Sequence, residues 1–101
     1  MLRRRISRRA QLVRQRTRQK NQVHATLIRN LKGRPPVSHL FGVRGRRWLA
    51  EQRLPADERE TVAVCLRQID FLEGEIVLVE RVLAEQVLAS EEMRRLLTLP
   101  G

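Results

Sequence analysis

Arginine dominates the chemistry available to this sequence. The chain has 21 basic residues, and fifteen of them stand in the first fifty positions, where there is no Asp or Glu. A guanidinium holds phosphate through two parallel hydrogen bonds and stacks on bases. The predicted nucleic-acid contacts are the arginines of this half: Arg5, Arg8, Arg14, Arg16, Arg18, Arg44, Arg46 and Arg47. For any single arginine a solvated basic helix face is an equally good interpretation, but for the whole set it is a poor one.

The two halves of the chain carry opposite charge. Residues 1–50 hold fifteen basic residues, and residues 51–101 hold six basic and eleven acidic residues, so +15 and −5 give the net charge of +10. A helix that carries only positive charge repels itself, so the basic half needs a polyanion or an acidic segment beside it. The asymmetry indicates DNA or structured RNA as the partner.

The sequence contains no membrane or export signal. No apolar run approaches the ~20 residues of a spanning helix, and no apolar segment follows the arginine-rich start. A membrane-surface helix is disfavoured, because the apolar side of the first predicted helix has no Trp or Phe. The prediction is therefore a cytoplasmic protein without a membrane partner.

The residue types that usually carry catalysis lack companions here. His24 and His39 stand far apart without nearby Cys or acidic ligands, and Cys65 is the only cysteine, which excludes a disulfide or a cysteine-based metal site within one chain. The acidic residues are spread along predicted helix surfaces and do not converge on a metal ion. Three serines lie outside any nucleophile motif: Ser7, Ser38 and Ser90. We expect no catalytic residue, metal, cofactor or small-molecule substrate.

Residues 1–36 are predicted to form an arginine-rich helix. Gly33, Pro35 and Pro36 end it, because proline lacks an amide proton and pushes the preceding residue out of the helical region. Its predicted seam repeats at spacings of four and three: Ile6, Ala10, Val13, Thr17, Lys20, His24, Leu27 and Leu31. Three of these eight residues are polar, so the helix needs a partner with a better apolar surface.

Residues 37–54 are predicted to be a connector with a short helix, and LFGVRGRRWLAE at 40–51 is its most distinctive stretch. Ser38 could cap that helix, and Gly42 and Gly45 interrupt it. The stretch has four large apolar residues: Leu40, Phe41, Trp48 and Leu49. They most simply plug the end of a helix pair. A base-stacking platform is the alternative, because arginines adjoin the tryptophan.

Residues 55–89 carry the longest regular pattern. Pro55 followed by Asp57 and Glu58 favours a helix start. The predicted coiled-coil and dimer seam alternates by three and four: Val62, Cys65, Ile69, Leu72, Ile76, Val79, Leu83 and Gln86. A second apolar stripe repeats every seven residues: Val64, Phe71 and Leu78. Two apolar sides on one helix indicate contact with more than one partner.

These patterns predict an all-α fold, an elongated antiparallel helical hairpin with coiled-coil character that dimerises. Six residues are expected to pair across the hairpin: Glu73, Glu75 and Glu80 with Arg9, Arg14 and Arg16. Gly74 could mark a close backbone approach or a bend. Residues 90–101 are predicted to begin with a short last helix that starts at Ser90, and the chain leaves this helix in LLTLPG.

Four segments follow one another in a recognisable order. They are RTRQKNQVHATL at 16–27, LFGVRGRRWLAE at 40–51, the zipper-like stretch at 56–89 and LLTLPG at 96–101. In that order they resemble the middle of insertion-sequence transposases of the IS-one-ten type, the bridge-RNA-guided recombinases. The resemblance implies a coiled-coil connector, preceded by a domain with a DEDD carboxylate set and followed by a domain with a nucleophilic serine. Neither catalytic set falls within this sequence, so no catalytic residue is carried over.

We therefore expect the central segment of a DNA transposase, which contacts nucleic acid, dimerises and lacks both catalytic domains, so that this chain alone is not an active enzyme. The main alternative is a stand-alone small basic protein associated with the nucleoid or with RNA. A pure dimerisation scaffold is the third interpretation. Charge reversal of Arg14, Arg16 and Arg18 would leave the function of such a scaffold intact.

Overall fold

The computed structural model describes residues 2–98, which form three helices and no strand: α1 (Leu2–Arg29), α2 (Val43–Glu51) and α3 (Ala56–Thr98). The molecule measures 71 × 24 × 16 Å. Its radius of gyration is 19.8 Å, against about 13 Å for a compact chain of this length. The predicted all-α, elongated fold is confirmed.

α1 and α3 form an antiparallel hairpin. Arg9 pairs with Glu80 and Arg16 pairs with Glu73, so rising positions on α1 meet falling positions on α3. Leu2 lies beside Gln86 and Ser90, and α3 continues beyond that point to its end. The hairpin gives the molecule its long axis.

The apolar seam of α3 is buried against α1 of the same chain. Five of its residues are buried: Val62, Cys65, Ile69, Leu72 and Ile76. The remaining three, Val79, Leu83 and Gln86, are half-buried. Burial of one aliphatic side chain contributes about 1.5–3 kcal/mol. Because α1 already covers this seam, its burial needs no second copy, and dimerisation stays a prediction.

The contact face of α1 differs from the seam predicted for it. Four of the predicted seam residues are exposed: Ile6, Thr17, His24 and Leu31. The buried residues of α1 are Val23, Thr26 and Leu27, of which only the last was predicted. α1 has few apolar residues, so two registers one position apart fit its pattern. The observed register buries Val23 and Thr26, and the Thr26 hydroxyl is satisfied within α1, where it donates to the Gln22 carbonyl at 2.9 Å.

α1 ends at Arg29, ahead of the glycine and prolines that were predicted to stop it. The Lys32 N–H donates to the Leu27 carbonyl at 2.9 Å, and the Leu31 N–H donates to the Ile28 carbonyl at 3.0 Å. This pair of bonds is the Schellman motif, which places the residue after the helix in the left-handed region. Leu31 accordingly has φ of 56°, and it is 92% exposed.

The connector packs its apolar residues on the hairpin. Leu40 and Leu49 are buried in a cluster with Val23 and Val62, and Phe41 and Trp48 are partly buried against the same cluster. The structure therefore agrees with the interpretation that these four residues cover the end of the helix pair. The His24 ring meets the Phe41 ring edge to face, with centroids 5.6 Å apart. His24 is thus a contact of the connector and not a seam residue.

The start of α2 differs from the prediction. Gly42 is its N-cap and Ser38 lies outside it, so the capping role predicted for Ser38 is wrong. Gly45 does not interrupt α2 but is buried inside it. A Cβ at Gly45 would collide with the backbone carbonyl groups of His39 and Leu40. Glycine therefore lets α2 lie against the chain that leads into it.

α3 begins at Ala56, one residue after the predicted start at Pro55. The Pro55 carbonyl accepts the Arg59 N–H at 2.9 Å, which makes Pro55 the residue just before the helix. Asp57 and Glu58 occupy the first turn, where negative charge is favourable.

The interior of α3 corrects two predictions. The helix runs through Ser90 without a break, so the separate short helix predicted from 90 is wrong as far as Thr98, and residues 99–101 lie outside the described part. Gly74 is exposed, and a Cβ there would meet nothing within 4 Å, so it marks no close approach. Among residues 2–98, no helix combines the length and the apolar character that a membrane crossing requires.

Candidate nucleic-acid interface

A polar network closes the end of the hairpin where α1 meets the start of α3. The Arg29 guanidinium donates to both Glu58 carboxylate oxygens, at 3.0 and 3.3 Å, and to the Thr26 hydroxyl at 3.1 Å. The Asn30 amide donates to the same carboxylate at 3.2 Å and to the Thr26 carbonyl at 2.8 Å. Arg29 lies in the basic half of the chain, but in this network it stabilises the fold.

Two ion pairs hold the long edges of the hairpin together. Arg9 lies 3.0 Å from Glu80, and Arg16 lies 3.2 Å from Glu73. Two of the predicted arginines and two of the predicted acids are therefore paired as expected. Arg14 is exposed and has no carboxylate partner within residues 2–98. Exposed pairs of this kind contribute roughly 0–1 kcal/mol each, so they set orientation more than stability.

Arg46 fastens the connector to the hairpin. Its guanidinium donates to the two Asp70 carboxylate oxygens at 2.9 and 2.7 Å, and its Nε donates to the Phe41 carbonyl at 2.8 Å. The side chain is 31% exposed, and three of its donor groups are occupied. Arg16 and Arg46 were both predicted to contact nucleic acid, but the structure places them in intramolecular ion pairs.

Five arginines remain exposed on α1 and have no carboxylate partner in the described part of the chain. We call them the outer arginines: Arg3, Arg4, Arg8, Arg14 and Arg18. Arg14 and Arg18 stand four positions apart, which puts them on one face of the helix. From Arg3 to Arg18 the helix rises about 22 Å, which extends the positive charge along most of α1. Arg5, which was predicted to contact nucleic acid, is half-buried and is not one of the outer arginines. Arg3 and Arg4 are outer arginines that the sequence analysis did not predict as contacts.

The connector adds further cations beside the hairpin. Arg44 and Arg47 are exposed on α2, as a contact role would require. A cavity of about 890 Å³ lies between the connector and α1, and its lining includes Lys20, His24 and Arg34. The Lys20 ammonium sits 5.3 Å from the centre of the Phe41 ring, a cation–π distance.

Residues 2–98 contain no cluster of side chains that could bind a metal ion, and their one cysteine is buried. No three His, Cys, Asp or Glu residues within 2–98 are close enough to hold a metal ion. Cys65 is a free thiol in the hairpin core. Its burial disfavours the thiolate and raises the pKa of the thiol above its ordinary value.

The fold and its charge define an α-helical hairpin with one cationic helix and one amphipathic, acid-containing helix. Comparison with protein-family models, with curated proteins and with solved structures finds no match for this chain. The function is therefore inferred from the residues of this chain alone.

Proposed function

We propose that this chain binds nucleic acid through the outer arginines of α1 together with Arg44 and Arg47 of α2, and that it does so without reading sequence. The observation that carries the proposal is the division of the arginines into two groups. Arg9, Arg16, Arg29 and Arg46 meet acids of α3, whereas the outer arginines are exposed without an acid partner in the described part.

The electrostatics favour a polyanion over a small anion. α1 holds ten basic residues and no acidic one over its 28 positions. The acids of α3 offset three of those basic residues through ion pairs, so most of the positive charge is left for an external partner. Arginine contacts to phosphate release condensed counterions from nucleic acid, which drives binding with little dependence on sequence.

A charge-matched pair of variants tests the proposal. Arg14→Gln with Arg18→Gln removes two outer arginines, and Arg53→Gln with Arg81→Gln removes two equally exposed arginines elsewhere. Binding of a short labelled duplex at low salt is measured for both. The first variant should bind more weakly than the second, and the magnitude of its salt slope should fall by about 1.8, because each phosphate contact contributes about 0.9. If the two variants lose equal affinity for the duplex, binding depends only on net charge, which would contradict the proposal.

We further propose that the nucleic-acid binding serves an IS-one-ten-type DNA transposase, in which this hairpin is the connector between the catalytic modules. The order of segments 16–27, 40–51, 56–89 and 96–101 supports this assignment. The same surface would suit a small nucleoid or RNA-associated protein. Sequencing the DNA on both sides of the gene separates the two, because only the transposase predicts a DEDD-bearing segment upstream and a serine domain downstream.

Homodimerisation and a cytoplasmic location remain parts of this proposal. Since α1 covers the 62–86 seam within the chain, a dimer would use other apolar residues, such as Leu78, Met93 and Leu97, which are 52%, 62% and 81% exposed. Light scattering of the purified chain should give twice the monomer mass, and with a short duplex it should give the mass of two chains plus the bound nucleic acid. A mass that corresponds to one chain in both conditions would refute this part.

A further inference from the structure

A groove runs between α1 and α3 on a side of the hairpin that the connector leaves open. Asp70 binds Arg46 of the connector, and the next residue, Phe71, lines the groove. Because successive residues of a helix point about 100° apart, the groove lies on a different side of α3 from the connector. The groove has a volume of about 550 Å³, which lies in the range of ligand sites in proteins. It is therefore large enough for a small organic group and remains accessible after the connector has packed.

The lining of the groove combines an aromatic ring with cations and amides. Phe71 is 66% exposed, whereas Phe41 and Trp48 are partly buried against the core cluster. Arg18 and Arg67 line the same groove, and the lining includes no carboxylate. The other polar lining residues are three glutamines, Gln15, Gln19 and Gln68, and Val64 and Leu72 form the apolar remainder. None of these polar side chains has a hydrogen-bond partner among residues 2–98.

We propose that this groove binds an unpaired nucleotide of a single-stranded nucleic-acid segment. The base stacks on Phe71, Arg18 and Arg67 hold the adjoining phosphates, and the glutamine side chains line the groove around the base. An aromatic ring beside guanidinium groups is the combination by which proteins hold single strands. This inference rests on the proposed nucleic-acid binding and adds a site for unpaired bases to it.

The charge of the groove favours this occupant over a second copy of the chain. In a two-fold dimer the same surface meets itself. Such a contact would bring Arg18 and Arg67 of one copy towards the same arginines of the other, and the groove lining holds no carboxylate to offset them. A strand of phosphates supplies the missing negative charge, and its bases supply a flat partner for the ring.

The test compares three probes of equal length and equal label: a thymidine oligomer of about 12 nucleotides, an abasic oligomer and a duplex. Binding is measured by fluorescence anisotropy for wild type, Phe71→Ala, Phe71→Trp and Val77→Ala. Val77 is 50% exposed on α3 and does not line the groove, so it controls for the loss of an exposed apolar side chain. Circular dichroism of each variant confirms that the helices are retained.

The expected result is selective. Phe71→Ala should weaken binding of the thymidine oligomer by roughly 5- to 150-fold and leave the abasic oligomer and the duplex unchanged. Phe71→Trp should retain binding of the oligomer, and Val77→Ala should have no effect on any probe. If wild type binds the duplex but Phe71→Ala binds the thymidine oligomer as wild type does, the groove inference is wrong and the proposed function stands. If wild type binds no probe, both are wrong. A change in the mass of the free protein on Phe71→Ala would identify the groove as a contact between copies and would also overturn the inference.

Discussion

The same substitution, Gly to Ala, should change stability in opposite directions at two helical positions of this chain. At Gly74 a Cβ would meet nothing within 4 Å, so Gly74→Ala gains only the better helix propensity of alanine, about 1 kcal/mol. At Gly45 the added Cβ would collide with the carbonyl groups of His39 and Leu40, which are backbone and cannot move aside alone. Overpacking that forces backbone to shift costs about 1–3 kcal/mol and occasionally more, so after the propensity gain of about 1 kcal/mol Gly45→Ala should be destabilising by up to about 2 kcal/mol.

Thermal unfolding of both variants, followed by far-UV circular dichroism, measures the difference. A change of 1 kcal/mol shifts Tm by about 4–8 °C in a domain of this size. Gly74→Ala should therefore raise Tm by about that amount, and Gly45→Ala should lower it. Equal shifts in the same direction would refute the close approach of α2 to residues 39–40, and with it the packing that presents Arg44 and Arg47.

Three other perturbations test separate parts of the fold. Leu31→Gly should stabilise the chain by about 1 kcal/mol in urea unfolding, because glycine has no steric penalty at φ of 56°, and a loss of stability would refute the left-handed assignment. A double-mutant cycle of Arg46→Ala and Asp70→Ala should give a coupling energy of about 0.5–1 kcal/mol, since the carboxylate is 61% exposed and screened by solvent; zero coupling would mean that the pair does not hold the connector. Cys65 should react slowly with a thiol reagent until the chain unfolds. Fast reaction in the folded state would contradict the burial of Cys65. Because burial raises the pKa of this thiol, the stability that Cys65 contributes is present below the ordinary thiol pKa and is lost as pH rises through the raised pKa.

The long helix was predictable because its seam is apolar at nearly every position. Only one register fits Val62 to Ile76, and the structure buries those residues in that register. α1 offers too few apolar residues to select a register, so His24 and Leu31 were placed in a seam that they do not join. The choice between registers depends on α3, whose acids and apolar residues lie far away in sequence.

The candidate site was predictable in its composition but not in its detail. Counting charges selects Arg14 and Arg18 and also selects Arg46, because a sequence does not show which acid will lie opposite each arginine. Asp70 reaches Arg46 only after the connector folds back on α3. Phe71 was assigned to an apolar stripe, and its place beside Arg18 emerges only when α1 and α3 pack together.

The central claim is that the outer arginines bind phosphates, and the salt dependence of duplex binding tests it. If the five outer arginines, Arg44 and Arg47 each contact one phosphate, the slope of log K against log salt should be about −6.3 for wild type. Arg14→Gln with Arg18→Gln should reduce its magnitude by about 1.8, whereas Arg53→Gln with Arg81→Gln should leave it unchanged. A slope near zero, or one that the first pair of substitutions does not alter, would contradict the account.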